Sequence, residues 1–177
     1  MTGTLIYTTH DSTVGLMLLV ASPKGLRYVR VLDSRDAVDA ALSQMAEGAD
    51  LVLESQGFLA TACAAIDDYL ANGTPLKLPV DIHSGTPLQR AVWLQISKIP
   101  FGETISYTTL ANRVGFPRAV RAVASSCGAN PLPFVIPCHR VLAKDGSIGG
   151  FTMLGGLDVK RRLLALETGE AWQEAVA

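Results

Sequence analysis

The most informative stretch of the sequence is residues 130–141, which read NPLPFVIPCHRV. An apolar run ends in a cysteine, Cys138, that is followed directly by His139 and Arg140. Cationic neighbours stabilise a thiolate over a thiol, so we expect the pKa of Cys138 to lie below the usual value of about 8.5. This combination makes Cys138 a candidate nucleophile.

His139 can act as a base for Cys138 only if the local geometry allows it. Adjacent side chains in extended backbone point to opposite faces, so a direct contact between thiol and imidazole is unfavourable. A bridging water or a sharp turn at Pro137 fits the spacing better. An imidazole that acts as a base also needs an orienting carboxylate, because its tautomer must be fixed.

Upstream of this stretch, residues 106–128 have the pattern of two short helices joined by a tight turn. Ser106 can cap a first helix over 106–113, residues 115–117 (GFP) interrupt the pattern, and a second helix is predicted over 118–128. This arrangement is typical of a helix-turn-helix. A packed helical hairpin with no role in DNA binding has the same spacing.

The second of these helices combines arginines with small side chains. Small residues let a helix backbone approach a groove closely, while arginines reach phosphates or bases. The candidate DNA-binding residues are Arg118, Arg121, Ala122, Ala124 and Ser125.

Charge is distributed unevenly over the 177 residues, whose net charge is −1. Residues 1–80 hold five basic and nine acidic side chains, whereas residues 81–177 hold ten basic and seven acidic ones. Residues 82–144 hold seven basic side chains and a single acidic one. Such a stretch suits an anion-binding face, although a solvated basic surface without a ligand has the same composition.

The first 78 residues are predicted to form an α/β lobe. Strands are expected over 4–9, 16–21 and 26–32, with hairpin turns at Asp11-Ser12 and 23–25. A helix over 37–46, capped by Ser34 or Asp36, a short buried strand over 51–53 and a helix over 57–70 should follow. The polar connector 72–80 leads to a second lobe, 79–177, whose first helix should start at Thr86-Pro87 and extend to Ile99.

Composition excludes several classes of protein. Apolar residues make up 49% and charged residues 18%, which excludes a disordered chain. The longest apolar run, 14–21, is far shorter than the roughly 20 residues of a membrane span, and no basic segment of a secretory signal precedes it. The three cysteines, Cys63, Cys127 and Cys138, cannot pair evenly and include no Cys-x-x-Cys, so we expect free thiols, no metal site and a cytoplasmic protein. Cys63 lies among small residues and is interpreted as a packed core residue.

The motif Asn130-Pro131, followed by 136–141 (IPCHRV), resembles that of the O6-alkylguanine-DNA alkyltransferases, the methylated-DNA–protein-cysteine methyltransferases. The resemblance covers about 79–167 and includes 102–107 (GETISY), 117–123 (PRAVRAV) and 163–167 (LLALE). The first 78 residues resemble the family's ribonuclease-H-like lobe only in size and strand order. The implied fold is an α/β N-terminal lobe, with a small antiparallel sheet plus helices, and a mainly α C-terminal lobe containing a helix-turn-helix.

The resemblance also implies a role for each matching residue of the active site. Cys138 corresponds to the alkyl acceptor, and His139, through a water, to its base. Glu167 corresponds to the carboxylate that orients His139. Tyr107 corresponds to the phenol that protonates N3 of the leaving guanine, and Asn130 to the residue that braces the active-site turn.

The remaining matches concern DNA and the pocket. Arg121 corresponds to the finger that replaces an extruded nucleotide. The backbone of Val141 corresponds to part of the guanine-reading wall. Phe151 stands where many relatives have tyrosine, and the loop 151–156 is a residue or two longer than common forms. An apolar lid is therefore kept, while the preferred substrate size becomes an open question.

The implied function is DNA repair by direct reversal of damage. One alkyl group would pass irreversibly from O6-alkylguanine, and from O4-methylthymine, in double-stranded DNA to Cys138. The resemblance implies no cofactor, metal, membrane or obligate protein partner, and a monomer.

Three alternatives differ from this function in what they leave unexplained. A non-catalytic alkyltransferase-like protein would bind the same lesions, but such relatives replace the cysteine, which this chain keeps. A helix-turn-helix regulator with an incidental cysteine leaves Glu167 and Tyr107 without a role. A cysteine hydrolase would normally have its histidine far from Cys138 in sequence.

Overall fold

The computed structural model describes residues 3–46 and 48–169, and the chain divides into two units, Met1–His83 and Ser84–Ala177. The boundary lies after His83 rather than after residue 78. Val80 forms a parallel bridge with Leu26, and Asp81 accepts a hydrogen bond from Ser22, so this end of the connector belongs to the first unit. Within the described ranges, no helix is both long enough and apolar enough to cross a membrane.

The first unit contains a four-stranded sheet with the strand order β3-β2-β1-β4. Its elements along the chain are β1 (Thr4–Ser12), β2 (Gly15–Ser22), β3 (Gly25–Leu32), α1 (Ala37–Met45), β4 (Asp50–Leu53) and α2 (Phe58–Asn72). The first three strands pair antiparallel, as predicted, whereas β4 runs parallel to β1. The sheet is therefore mixed, with β4 at one edge.

The central strand β2 is buried on both faces because each face of the sheet carries a helix. Leu18 and Val20 belong to a core cluster with Ala41 and Leu42 of α1. The opposite face of the sheet packs against α2. There, Nε2 of His10 in β1 lies 2.7 Å from a carboxylate oxygen of Asp67 in α2. Side chains alternate between the faces of a strand, which explains why the apolar run of β2 is continuous.

Several details of the first unit differ from the expectations. Asp11 and Ser12 lie in β1, and the first hairpin turn is formed by Thr13 and the following valine, because Ser12 pairs with Gly15. The helix α1 has Asp36 as its N-cap, without a side-chain hydrogen bond. The prediction of a buried strand over 51–53 is wrong as to burial: Leu53 is 63% exposed, since β4 is an edge strand.

The second unit is mainly helical. It contains α3 (Pro87–Ile96), β5 (Ile105–Ser106), α4 (Tyr107–Arg113), α5 (Val120–Gly128), a 3-10 turn (Cys138–Arg140), β6 (Val141–Leu142) and α6 (Gly156–Thr168). The two short strands pair parallel, with Ile105 opposite Val141. This ladder places the start of α4 beside the residues that follow Cys138.

Helix starts in this unit follow the sequence signals. Thr86 caps α3 in a capping box with Gln89, with proline at the first helical position, and Ser106 caps α4 by accepting from the Thr109 amide. Both predicted starts are confirmed. The helix α3 ends at Ile96, before the predicted Ile99.

The helices α4 and α5 are joined by a short turn. Gly115 in this turn has a φ of 80°, in the left-handed region that favours glycine. The helix α5 starts at Val120, so Arg118 lies in the turn and not in the helix as predicted. Trp93 of α3 packs behind α5 and donates from its indole nitrogen to the carbonyl of Ser126 at 2.8 Å.

Candidate active site

Cys138 lies directly after a sharp turn centred on Pro137. The φ and ψ of Pro137 are −78° and 66°, and the Cys138 amide donates to the carbonyl of Ile136 at 2.8 Å, which defines an inverse γ-turn. The sharp turn predicted at Pro137 is therefore confirmed. Cys138 is 8% exposed at the start of the 3-10 turn.

Asn130 braces the segment that leads to this turn. Its side-chain nitrogen donates to the carbonyl of Ile136 at 2.7 Å, and its side-chain oxygen accepts from the Leu132 amide at 3.0 Å. Within the segment, Phe134 has a φ of 71°, which is uncommon for a bulky residue. The amide of Asn130 therefore holds an irregular backbone in place next to Cys138.

Glu167 lies at the centre of a buried hydrogen-bond network. His139 donates from Nε2 to Oε1 at 2.7 Å, and Arg140 donates to both oxygens, from Nε at 2.7 Å and from Nη2 at 2.9 Å. Arg140 also donates to the carbonyl of Ile99 at 2.7 Å, and the Gly102 amide donates to Oε2 at 3.3 Å. The carboxylate thus neutralises Arg140 and fixes the ring of His139.

The protonation state of Cys138 differs from the expectation. Burial raises the pKa of the thiol, while a hydrogen bond from the Asn130 side chain and the charge of Lys160 act in the opposite direction. The expectation of a pKa lowered by adjacent cations is wrong, because Arg140 faces Glu167 and burial has the larger effect. A raised pKa favours the thiol over the thiolate at neutral pH, so a reaction at Cys138 would need a base to remove the proton.

His139 is suited to accept that proton. Burial lowers the pKa of His139, and this effect exceeds the opposing influence of Glu167. The imidazole is therefore neutral at pH 7. Because Nε2 carries the hydrogen donated to Glu167, the basic lone pair of the neutral ring is on Nδ1.

A cavity of about 180 Å³ lies beside Cys138. Its lining comes from the start of α4, the end of α5, the active-site turn and the segment before α6, namely Tyr107, Ala124, Cys127, Gly128, Cys138, Gly150, Phe151 and Thr152. Thr152 donates to the carbonyl of Gly128 at 2.8 Å, which links the loop 151–156 to the end of α5. The cavity brings together Cys138 with two further predicted site residues, Tyr107 and Phe151.

Tyr107 faces this cavity as a protonated phenol. Burial, followed by the proximity of Cys127 and Cys138, raises the pKa of Tyr107 to about 12. Gly149 has a φ of 65°, and a Cβ at this position would lie 3.3 Å from the Tyr107 ring, so the backbone approaches the ring closely. Glycine at 149 allows Tyr107 to occupy this position.

Val141 is placed differently from the other predicted pocket residues. Its side chain is fully buried, and the residue pairs with Ile105 in the short ladder. Its carbonyl accepts a hydrogen bond from Nζ of Lys160 at 2.7 Å. Val141 thus lies behind the cavity lining and not within it.

The candidate DNA-binding residues share the exposed side of α5 and the turn before it. Arg118, Arg121, Ala122 and Ser125 are exposed, and Ala124 is half-buried at the cavity. Six of the seven basic residues within 82–144 are exposed, namely Arg90, Lys98, Arg113, Arg118, Arg121 and Lys144. The seventh, Arg140, is buried against Glu167, so its charge is not part of a basic surface.

Sequence reasoning missed Lys160, which is fully buried in α6. Lys160, Leu163, Leu164 and Glu167 form the buried stripe of this helix, with the spacing i, i+3, i+4 and i+7. The signal in the sequence was a lysine in a helical stripe that otherwise packs into the core. It also missed the ion pair of Arg140, which involves a residue 27 positions later.

Comparison with known proteins places these features in a family. Residues 87–169 match the family model described as 6-O-methylguanine DNA methyltransferase, DNA binding domain. The chain is 32% identical, over 166 residues, to a methylated-DNA–protein-cysteine methyltransferase of Methanosarcina acetivorans, and this match covers 92% of this chain and 98% of that protein.

Two further matches extend this result. The chain is 39% identical over 161 residues to the bifunctional transcriptional activator/DNA repair enzyme Ada of Escherichia coli, a match that covers 91% of this chain. It spans only 45% of the length of that relative. The crystal structure of Mycobacterium tuberculosis OGT in complex with DNA is 30% identical, with a TM-score of 0.75 and coverage of 97% of this chain and 96% of that one. The chain therefore belongs to the methylated-DNA–protein-cysteine methyltransferase family.

Proposed function

We propose that this protein repairs DNA by transferring one alkyl group from O6-alkylguanine in double-stranded DNA to Cys138. The observation that carries the proposal is the position of Cys138 on a cavity of about 180 Å³, next in sequence to a histidine held by a buried carboxylate. Family membership supports the reaction type. The same attack on an O-alkyl carbon applies to O4-methylthymine.

The first chemical step is removal of the thiol proton. His139 is neutral and its tautomer is fixed by Glu167, so a water between the two side chains can pass the Cys138 proton to Nδ1. The thiolate then attacks the carbon bound to guanine O6. A bond from Sγ to carbon forms, the bond from carbon to O6 breaks, and its electron pair remains on the guanine.

The guanine anion is a poor leaving group, so protonation lowers the barrier of the second step. Tyr107 faces the cavity and holds its proton at neutral pH. It can donate this proton to N3 of the guanine. The thioether formed on Cys138 is too stable to hydrolyse, which makes the reaction a single turnover.

DNA recognition is assigned to α4 and α5, interpreted as a helix-turn-helix. The small exposed residues of α5 suit close approach to a groove, and the side chain of Arg121 is exposed at the start of this helix. The O6 substituent is out of reach inside the base stack, so the nucleotide must be extruded into the cavity, and Arg121 would take its place. The order β3-β2-β1-β4 supports a ribonuclease-H-like first unit.

Two of the three alternatives can be compared with the site directly, and both fit the structure less well. A non-catalytic lesion-binding protein has no need of Cys138 together with the network of His139 and Glu167. A regulator that only binds DNA has no need of a cavity lined by Cys138 and Tyr107. The proposed alkyl transfer uses all of these groups.

The test is the stoichiometry of repair. A duplex oligonucleotide with a single O6-methylguanine is mixed with increasing amounts of protein, and the remaining modified base is measured by chromatography. We expect removal to stop at one lesion per protein molecule and Cys138→Ala to remove none. Repeated turnover, or no removal by the native protein, would refute the proposal.

A further inference from the structure

Lys160 is a buried charged residue close to residues that line this cavity. Its side chain is fully buried in α6. Nζ donates to the carbonyl of Val141 at 2.7 Å and lies 3.5 Å from the carbonyl of Gly150. It also lies 5.9 Å from the ring centroids of both Tyr107 and Phe151.

A buried ammonium group is costly unless it is paired with an anion. In the described part of the chain, no carboxylate lies within 4.0 Å of Lys160. Glu167 is two helical turns further along the same stripe of α6 and binds Arg140 and His139 instead. A leucine or methionine would fill the same stripe of α6 without this cost. We therefore expect the positive charge of Lys160 to stabilise another group in this part of the molecule.

The surroundings of Lys160 indicate which group this is. Both rings near Nζ belong to cavity-lining residues, and so does Gly150. The titratable groups coupled to it are the thiols of Cys138 and Cys127, and its charge also acts on His139. Cys138 becomes an anion in the first step of the proposed reaction, whereas Tyr107, whose ring also lies near Nζ, becomes one only after it has donated its proton to the guanine.

We propose that Lys160 supplies the buried positive charge that stabilises the thiolate of Cys138 during alkyl transfer, while its hydrogen bonds hold the backbone at Val141 and Gly150. This inference rests on the proposed function, because the thiolate is an intermediate of that reaction. Lys160 does not line the cavity, so it acts as a positioning residue and exchanges no proton. The proton of Cys138 goes to His139, as before.

The electrostatics of the pocket agree with this role. Burial lowers the pKa of Lys160 to about 8, whereas the proximity of Cys138 and Cys127 raises it. Reciprocally, the charge of Lys160 lowers the pKa of Cys138. The same charge lowers the pKa of His139, which keeps this base neutral until it receives the thiol proton.

The experiment measures the reactivity of Cys138 in the free protein, without DNA. The rate of its modification by iodoacetamide is followed against pH, because only the thiolate reacts. Cys127 and Cys138 lie on one tryptic peptide, 122–140, so fragmentation within this peptide assigns the label. The variants are Lys160→Gln, which keeps a hydrogen-bond donor but no charge, and Lys160→Arg, which keeps the charge. Lys77→Gln, at an exposed lysine of the first unit, is the matched control.

We expect Lys160→Gln to slow the modification of Cys138 at neutral pH about tenfold, by moving its pH midpoint upward by about one unit. The rate of Cys138 modification in Lys160→Arg should stay within about threefold of the native rate. In Lys77→Gln this rate should equal the native rate. Equal losses in both Lys160 variants, or an unchanged midpoint in Lys160→Gln, would overturn the inference.

A second measurement uses the native chain and does not depend on the folding of a variant. The titration of Lys160 is followed by NMR with ¹³C-labelled lysine before and after carbamidomethylation of Cys138. In the native chain the Lys160 resonances should also report the titration of the Cys138 thiol, and this second step should disappear once the thiol is blocked. A native titration curve without the second step would also overturn the inference. If the native protein removes no methyl group from the oligonucleotide, the proposed function fails, whereas these two readouts test Lys160 alone.

Discussion

At the scale of single residues, the proposed reactivity of Cys138 depends on His139 as a proton acceptor, and the orientation of His139 is fixed by Glu167. This carboxylate binds both His139 and Arg140 in a buried site. Glu167→Gln removes its charge and leaves Arg140 buried without an anion. We expect a loss of about 3 kcal/mol in the free energy of unfolding, measured in urea. Alkyl transfer should slow by about a hundredfold, measured on the fraction that remains folded.

The control for this substitution is Glu103→Gln, at an exposed glutamate of the second unit. It should change neither quantity beyond the error of measurement. A stable Glu167→Gln variant with native rates would show that the carboxylate does not orient the base.

In the proposed mechanism, the protonation state of His139 sets the pH dependence of alkyl transfer. Its pKa in the folded protein is lowered by burial, and only the neutral ring accepts the thiol proton. The rate of transfer from free O6-benzylguanine should therefore hold constant as the pH falls to about 6.5, the ordinary pKa of histidine, and should decrease only below it. The contribution of His139 to the free energy of unfolding should also decrease as the pH falls below about 6.5. The reason is that the unfolded chain binds this proton at a higher pH than the folded protein does. A rate that already halves between pH 8 and the ordinary pKa would contradict this assignment.

The residues of the site differ in how far the sequence can predict them. Cys138 and His139 lie in one local motif, which marks them as candidates by their types and spacing. Glu167, 28 residues from His139, was expected only because the sequence resembles the family. The ion pair of Arg140 and the burial of Lys160 depend on tertiary packing, and a sequence does not show which of several cations is buried. This is also why the pKa of Cys138 was predicted in the wrong direction.

At the scale of elements, α5 presents its exposed side while Val123 and Cys127 face the core. If Arg121 fills the gap left by an extruded nucleotide, Arg121→Ala should slow transfer from duplex DNA at least tenfold more than transfer from free O6-benzylguanine. The free base needs no unstacking, which costs a few kcal/mol in the duplex. Single-turnover rates on both substrates provide the comparison, with Arg121→Lys as the charge-preserving control. Equal losses on both substrates would make Arg121 a residue of the fold.

Helices could be predicted from the sequence where a capping residue or a periodic pattern of apolar residues indicated them. Thr86 and Ser106 start helices as their side chains predict. The first hairpin turn was misplaced because Asp11 and Ser12 have turn-forming side chains, yet pairing with β2 continues through them. The exposure of Leu53 follows from the parallel position of β4 at the sheet edge, which local sequence does not encode.

At the scale of the whole molecule, a nearly neutral chain has its basic residues concentrated in the second unit. The proposed repair function requires binding to any DNA sequence, so phosphate contacts should provide most of the affinity. With about four to six phosphates neutralised, log K should fall linearly with log salt at about −0.9 per contact. Fluorescence anisotropy with undamaged duplexes of different sequence measures this slope. A salt-independent affinity, or a strong preference among undamaged sequences, would favour a regulator.

The central claim, that Cys138 is the alkyl acceptor, is tested most directly by locating the methyl group after reaction. The protein is incubated with duplex DNA containing O6-methylguanine, digested, and analysed by mass spectrometry with fragmentation of the peptide 122–140, which contains both Cys127 and Cys138. We predict one methyl group on Cys138, none on Cys127 or Cys63, and none on any residue in Cys138→Ala, which should still bind the duplex. A methyl group on Cys127, or an unmodified native protein, would contradict the account.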